Sequence, residues 1–159
     1  MKPYPMRRAR QALSDAACAA VLKRATSGVL ALSEKDGTPY AVPLSFVDDG
    51  NALYFHCAKE GRKLDVIAQN PRAAFCAVGR DDVRPEAFTT RYESVTVFGK
   101  ISIVEDDAEK RRAALLLCDK YAPESSEADR AAELSQYWNA LCVLKLSKDA
   151  VTGKASRNT

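Results

Sequence analysis

The spacing of apolar positions changes several times along the chain, and each change marks an element. "LSDAACAAVLKRAT" (13–26) puts Ala17, Val21 and Leu22 on one helical face behind Ser14, a residue suited to capping a helix N-terminus. Three short apolar runs follow, "GVLALS" (28–33), "YAVPLSFV" (40–47) and "ALYFHC" (52–57), separated by the turn-forming "EKDGTP" and "DDGN". Strands joined by such turns predict an antiparallel meander. "GRKLDVIAQNP" (61–71) reads as a short helix closed at Asn70-Pro71, because a residue before proline disfavours helical backbone. "RAAFCAVG" (72–79) is a fourth strand.

"RDDVRPEAFTTR" (80–91) reads as a polar loop. "YESVTVFGKISIVE" (92–105) alternates strictly, with Val95, Val97, Ile101 and Ile103 on one face and Ser94, Thr96, Lys100 and Ser102 on the other. Gly99 interrupts this strand, as a glycine does at a bulge or sharp bend. "DDAEKRRAALLLCDKYAP" (106–123) predicts a helix opened by an Asp106/Glu109 capping box. A second helix, "SSEADRAAELSQYW" (125–138), a sixth strand, "ALCVLKLS" (140–147), and a polar tail complete the chain. The expected fold is mainly β with peripheral α, a small six-stranded antiparallel barrel with helical decoration. It is read as one domain over 1–159, with a basic N-terminal arm (about 1–12) and a polar C-terminal tail (about 148–159). There is no β-α-β alternation, and neither G-x-G-x-x-G nor G-x-x-x-x-G-K-[ST] occurs, so the common nucleotide phosphate loops are excluded.

Composition adds limits rather than direction. The 47% apolar and 28% charged content is that of a globular protein. A net charge of +3 gives no case for nucleic acid, and Lys2, Arg7, Arg8 and Arg10 read as a solvated arm. No apolar run nears the ~20 residues of a membrane span, and "MKPYPMRRAR" lacks the apolar stretch of a secretory signal. A cytoplasmic protein without nucleic-acid or membrane partners is expected. The five cysteines are scattered and form no C-x-x-C, as expected of small buried hydrophobes. His56 and Cys57 are adjacent on a strand and point to opposite faces, so no shared metal is expected.

Three features carry candidate chemistry. Arg62 and Lys63 open a helix, where the dipole disfavours cations. They are either two solvated surface charges or, with the free N–H groups of that helix end, a phosphate site. Pro43 cannot donate to a sheet ladder and so belongs on an edge. That edge is either ordinary or a border along which a flat heterocycle can pair its polar atoms. His56, the only histidine, shares a strand face with Tyr54, opposite Leu53, Phe55 and Cys57. It is either a satisfied polar group or, five residues before Gly61, a group within reach of the same ligand and able to shuttle a proton. Serine-histidine catalysis has no G-x-S-x-G to support it. The paired carboxylates Asp48-Asp49, Asp81-Asp82 and Asp106-Asp107 read as turns or caps.

"YFHCAKEGRK" together with "YESVTVFGK" and a terminal "TGK" closely resembles the FMN-binding split-barrel family related to pyridoxamine 5'-phosphate oxidase, over roughly residues 6 to 154. Within it the branch of 5-nitroimidazole resistance proteins is the most similar. The resemblance implies a six-stranded split barrel and a homodimer with FMN in two clefts at the subunit interface. It implies that Val42, Pro43, Leu44 and Ser45 run along the isoalloxazine edge, that His56, Cys57 and Ala58 flank the cofactor, and that Arg62 and Lys63 hold its phosphate. Tyr92 and Ser94 would approach from the long strand, and Trp138 would close the cleft from the partner chain. The implied activity is electron transfer from a reduced small-molecule donor to a small acceptor such as a nitroaromatic, with His56 as catalytic proton donor. The alternatives are a non-catalytic flavin- or haem-binding module, or pyridoxamine phosphate oxidase-like activity. The latter departs from the pattern, since "TGKASRNT" lacks the arginine-containing terminal segment of those oxidases.

Overall fold

The computed structural model describes residues 6–156; the start of the expected basic arm, with Lys2, and the last residues of the expected tail lie outside them. Eight strands form one antiparallel sheet: β1 (Gly28–Ser33), β2 (Pro39–Leu44), β3 (Val47–Asp48), β4 (Ala52–Ala58), β5 (Arg72–Arg84), β6 (Thr89–Ile103), β7 (Leu141–Ser147) and β8 (Ala150–Ala155). Their order is β2-β1-β5-β6-β7-β4-β3, with β8 beside β6. Four helices decorate it: α1 (Asp15–Arg24), α2 (Arg62–Gln69), α3 (Asp107–Tyr121) and α4 (Glu127–Tyr137). The mainly-β expectation holds, in a split barrel that does not close: the sheet ends at β2 on one side and β3 on the other.

Eight strands replace the six expected, for three local reasons. "YAVPLSFV" breaks at Ser45–Phe46, giving β2 and the two-residue β3. The expected polar loop 80–91 is instead mostly the arms of a long β5–β6 hairpin, paired from Arg80↔Glu93 to Arg84↔Thr89 around the turn Pro85–Ala87. Its side chains form no apolar face, so no hydrophobic period records it; the backbone ladder defines it, with Asp82 pairing Arg80 and Arg84 along one arm. The expected tail contains β8, which pairs with β6 from Glu93↔Ala155 to Phe98↔Ala150. Gly153 permits this: a Cβ there would lie 2.4 Å from the Cys18 sulfur of α1. The N-terminal arm is also tied down, through a bridge between Ala12 and Lys154.

Gly99 lies where β6 changes partners. β6 pairs with β8 as far as Phe98 and with β5 as far as Lys100; from Ile101 to Ile103 it pairs with β7. A Cβ on Gly99 would stand 1.9 Å from the Ser147 carbonyl oxygen, so only glycine permits the change of partner. The ladder's bulge lies elsewhere, between Val78 and Arg80.

The barrel interior holds Leu30, Phe55, Phe75, Val97 and Leu144, all fully buried. Phe46 and Phe55 both meet Phe75 edge-on, with ring centroids 4.7 and 4.9 Å away. Each fully buried phenylalanine contributes about 1.5–3 kcal/mol of apolar burial. A second cluster outside the sheet, Tyr54, Val104, Ala113, Leu117 and Val143, seats α3. Asp106 caps α3 by accepting the Glu109 N–H at 2.7 Å. Glu109 does not return to the cap: it accepts from the Tyr54 hydroxyl at 2.6 Å and from Lys145 at 2.7 Å. No helix among the described residues is long and apolar enough to cross a membrane.

Candidate functional site

The split is created where the two sheet ends meet in sequence. β2 runs into β3 through Ser45 and Phe46, yet β2 never pairs with β4. The Tyr121 hydroxyl of α3 holds this crossing, accepting from the Phe46 N–H at 2.9 Å and lying 2.6 Å from the Thr26 carbonyl. Pro43 points outward on the edge strand, opposite Val29 of β1. Val42 and Leu44 turn inward against the core. Val42 and Leu44 thus serve packing, and among the described residues the backbone along the outer border of β2 has no strand partner.

α2 begins beside the end of β4. Gly61, its N-cap, has φ +125°, a left-handed value that an L side chain adopts only with strain. No side chain caps this end. The next two residues differ in environment. Arg62 is exposed, with Nε and Nη2 3.1 and 2.5 Å from Glu34 Oε1 and its guanidinium 4.9 Å from the Tyr40 ring centroid. It thereby ties α2 to the β1–β2 hairpin. Lys63 is half-buried, and among the described residues it has no carboxylate within ion-pair distance. An uncapped helix end carrying a cation unmatched by protein is a fit for a phosphate group.

Cys57 and Ala58 end β4 at this place. The Cys57 thiol faces inward, directly across from Cys142 of β7. Burial, followed by the neighbouring Cys142 thiol, pushes it up to about 12, and nearby Lys63 pulls the other way without prevailing. At neutral pH Cys57 is therefore a protonated packing group, not a thiolate nucleophile.

His56 is exposed on the opposite face of β4. With Ser45 it lines a predominantly apolar cavity of about 520 Å³, whose other wall comes from α3 and α4: Leu117, Tyr121, Leu134 and Tyr137 among them. Sequence reasoning missed this wall. The signal was present as the helical spacing of Ala114, Leu117 and Tyr121, but nothing in it said that the far side would be His56.

The remaining expected residues lie elsewhere. Tyr92 and Ser94 sit on β6 between β5 and β8, and neither lines the His56 cavity. Tyr92 donates to Gln11 at 3.4 Å. Trp138, just past α4, also stays out of that cavity: Lys110 Nζ lies 4.1 Å from its ring centroid and donates to its carbonyl at 3.0 Å. Lys110 is 7% exposed, so this pairing satisfies a buried cation.

A fold of this kind, a split sheet with an uncapped cationic helix and an open strand edge, belongs to a known family. Residues 14–155 match the pyridoxamine 5'-phosphate oxidase family, and the chain belongs to that family. Among solved structures it is similar to a candidate 5-nitroimidazole antibiotic resistance protein from Bacteroides thetaiotaomicron, at 22% identity and TM-score 0.77, covering 91% of this chain and 86% of that one. It is similar to the FAD and haem binding protein from Mycobacterium smegmatis, at 26% identity and TM-score 0.75, covering 93% and 74%. The flavocytochrome Anf3 from Azotobacter vinelandii aligns at 17% identity and TM-score 0.77, covering 98% and 73%. A search of curated proteins found no match.

Proposed function

We propose that this chain is a homodimeric FMN-binding oxidoreductase that passes electrons from a reduced small-molecule donor to a small acceptor such as a nitroaromatic. The observation that carries the reading is Lys63, half-buried, without a carboxylate in ion-pair distance among the described residues, and placed at the uncapped N-terminus of α2. The N–H groups of that end and the Lys63 ammonium would hold the phosphate. Arg62 would add a donor while keeping Glu34, since a guanidinium carries five N–H groups. The free border of β2 at Val42–Ser45 would meet the polar edge of the ring. When bound, FMN supplies the two-electron chemistry. His56, at the mouth of the apolar cavity, would orient the acceptor and deliver a proton to it. Leu117, Leu134 and Tyr137 would exclude water around an aromatic acceptor.

Two features support the dimer. The outer face of β2 and β1 presents Ala41, Pro43, Val29 and Ala31 to solvent in cross-strand register, and Val78 of β5 is exposed as well. Phe88, at the tip of the β5–β6 hairpin, is 98% exposed with a left-handed backbone (φ 47°), a costly arrangement for an aromatic residue that a partner surface would repay. In such a dimer Tyr92, Ser94 and Trp138 would serve the partner's cleft.

The test is the absorption spectrum of the purified protein, with mass analysis of the small molecule it releases. Flavin bands and FMN are expected. Bleaching by a reduced nicotinamide and recovery on adding a nitro compound would separate an enzyme from a carrier. One observation favours a second reading: a lone histidine over a large apolar cavity suits a haem, and a Soret band in place of flavin bands would establish it.

A further inference from the structure

We infer that the apolar cavity beside His56 selects acceptors whose aromatic body carries a cationic arm, and that Glu133 of α4 is the residue that selects them. This rests on the oxidoreductase reading above and names the class of acceptor within it. The wall from α3 presents Ala114, Leu117, Cys118 and Tyr121, spaced as one face of a helix. The wall from α4 adds the buried Leu134, together with Glu133 and Tyr137, which are exposed and one turn apart. The body of the cavity is therefore apolar, and its α4 rim is polar.

The charge on that rim is one-sided. Glu133 is the single carboxylate of the lining, and no lysine or arginine lines the cavity. Among the described residues Glu133 has no cation within ion-pair distance. Arg130, three residues before it on α4, is turned to other partners. Its Nη1 meets Asp119, its Nε lies 2.8 Å from the Ser125 hydroxyl, and its Nη2 lies 3.2 Å from the Ala122 carbonyl. The Glu133 charge is thus left unmatched by the protein.

The tyrosines point to the same sign of ligand. Tyr121 engages its hydroxyl with the Phe46 N–H and the Thr26 carbonyl, so its ring is what it offers the cavity. The Tyr137 hydroxyl accepts from the Gln136 amide at 3.1 Å. Aromatic faces attract cations and repel anions. An apolar cavity alone binds flat aromatics without regard to charge. The rim carboxylate adds the choice, favouring an ammonium at the end of the ligand that meets α4 while His56 meets the end being reduced. Because Glu133 is exposed, solvent screens the pair and limits the preference to roughly 2- to 5-fold in affinity.

Three nitrobenzenes with matched para arms test this at neutral pH: 4-nitrobenzylamine as the cation, 4-nitrobenzyl alcohol as the neutral form and 4-nitrophenylacetate as the anion. Equilibrium dialysis reads their affinities on the protein as purified and after FMN saturation. Turnover with a reduced nicotinamide reads KM and kcat separately. The amine should bind roughly 2- to 5-fold more tightly than the alcohol, and the alcohol more tightly than the acid. The same order should appear in KM with kcat little changed, and added salt should shrink it. Glu133→Gln should erase the amine's advantage and Glu133→Lys should pass it to the acid, both at an unchanged unfolding midpoint. The inference is overturned if none of the three binds saturably, if all three bind alike in the wild type, or if the amine's advantage survives Glu133→Gln. Dialysis reads the charge order with or without turnover, so loss of the redox activity and loss of the selectivity are separate results. Turnover of all three compounds at equal KM would remove the selectivity alone.

Discussion

Lys63→Ala tests the candidate flavin site at its most quantitative point. A hydrogen bond to a charged partner contributes about 1.5–3 kcal/mol. Lys63 is half-buried, so water screens it in part and the lower end applies. About 1.5–2 kcal/mol corresponds to a roughly 10- to 30-fold rise in the FMN dissociation constant. Arg62→Ala should cost less, because Arg62 is exposed and already engaged by Glu34. Flavin fluorescence quenching measures both, and riboflavin, which has the same ring without the phosphate, is the control. Its affinity should be the same in wild type and Lys63→Ala. If FMN binds Lys63→Ala as tightly as wild type, or if riboflavin loses as much as FMN, the phosphate is not where Lys63 stands.

Other consequences follow from separate features. Gly99→Ala should lower stability by about 1–3 kcal/mol, the cost of overpacking against the Ser147 carbonyl, as read by denaturant midpoint. His56→Ala should slow acceptor reduction at unchanged FMN affinity; equal turnover in stopped-flow assays would make His56 a bystander. Phe88→Ser should shift the sedimentation profile towards monomer, and an unaltered profile would remove Phe88 from any interface. Acid should weaken the seating of α3. Bonds from Lys145 and then Tyr54 hold the Glu109 carboxyl below its usual range. At Asp49 burial pushes upward, but the Ala52 and Asn51 N–H groups and Arg112 outweigh it. Both folded values are depressed, so the stability they add is complete above the unfolded value near ~4 and is lost as pH falls through the folded values. The denaturant midpoint should fall on acidification below about pH 4, and less steeply in Glu109→Gln.

The sequence was most legible where burial imposes a period. Val95, Val97 and Ile101 alternate because one face of β6 lines the barrel, and α1 was readable from Val21 and Leu22 for the same reason. It failed where backbone pairing proceeds without a core. The hairpin ribbon at 80–91 is held by a ladder without an apolar face, and β8 turns inward only the small run Val151, Gly153 and Ala155, too weak an alternation to record it. The site divides along the same line. Arg62, Lys63 and Pro43 were visible because each breaks a local rule, a cation at a helix start or a proline in a strand, and in the structure Pro43 lies on the edge strand β2 while Arg62 and Lys63 open α2. The α3–α4 wall obeys every local rule, so its second role as the lining of a cavity was invisible until topology set it opposite His56.

That topology also bears on how the two halves of the proposed site would act together. Ser45 is the first residue after β2, and it is a lining residue of the His56 cavity. The strand edge that would carry a ring and the cavity that would carry an acceptor are therefore joined by a single residue step. Phe46, fully buried, anchors that step inside the barrel, while Tyr121 fixes its backbone from outside. Closure of the barrel by β2–β4 pairing would satisfy more backbone groups. It would also erase the free border, and the crossing at Ser45–Phe46 holds the barrel one strand pairing short of that closure.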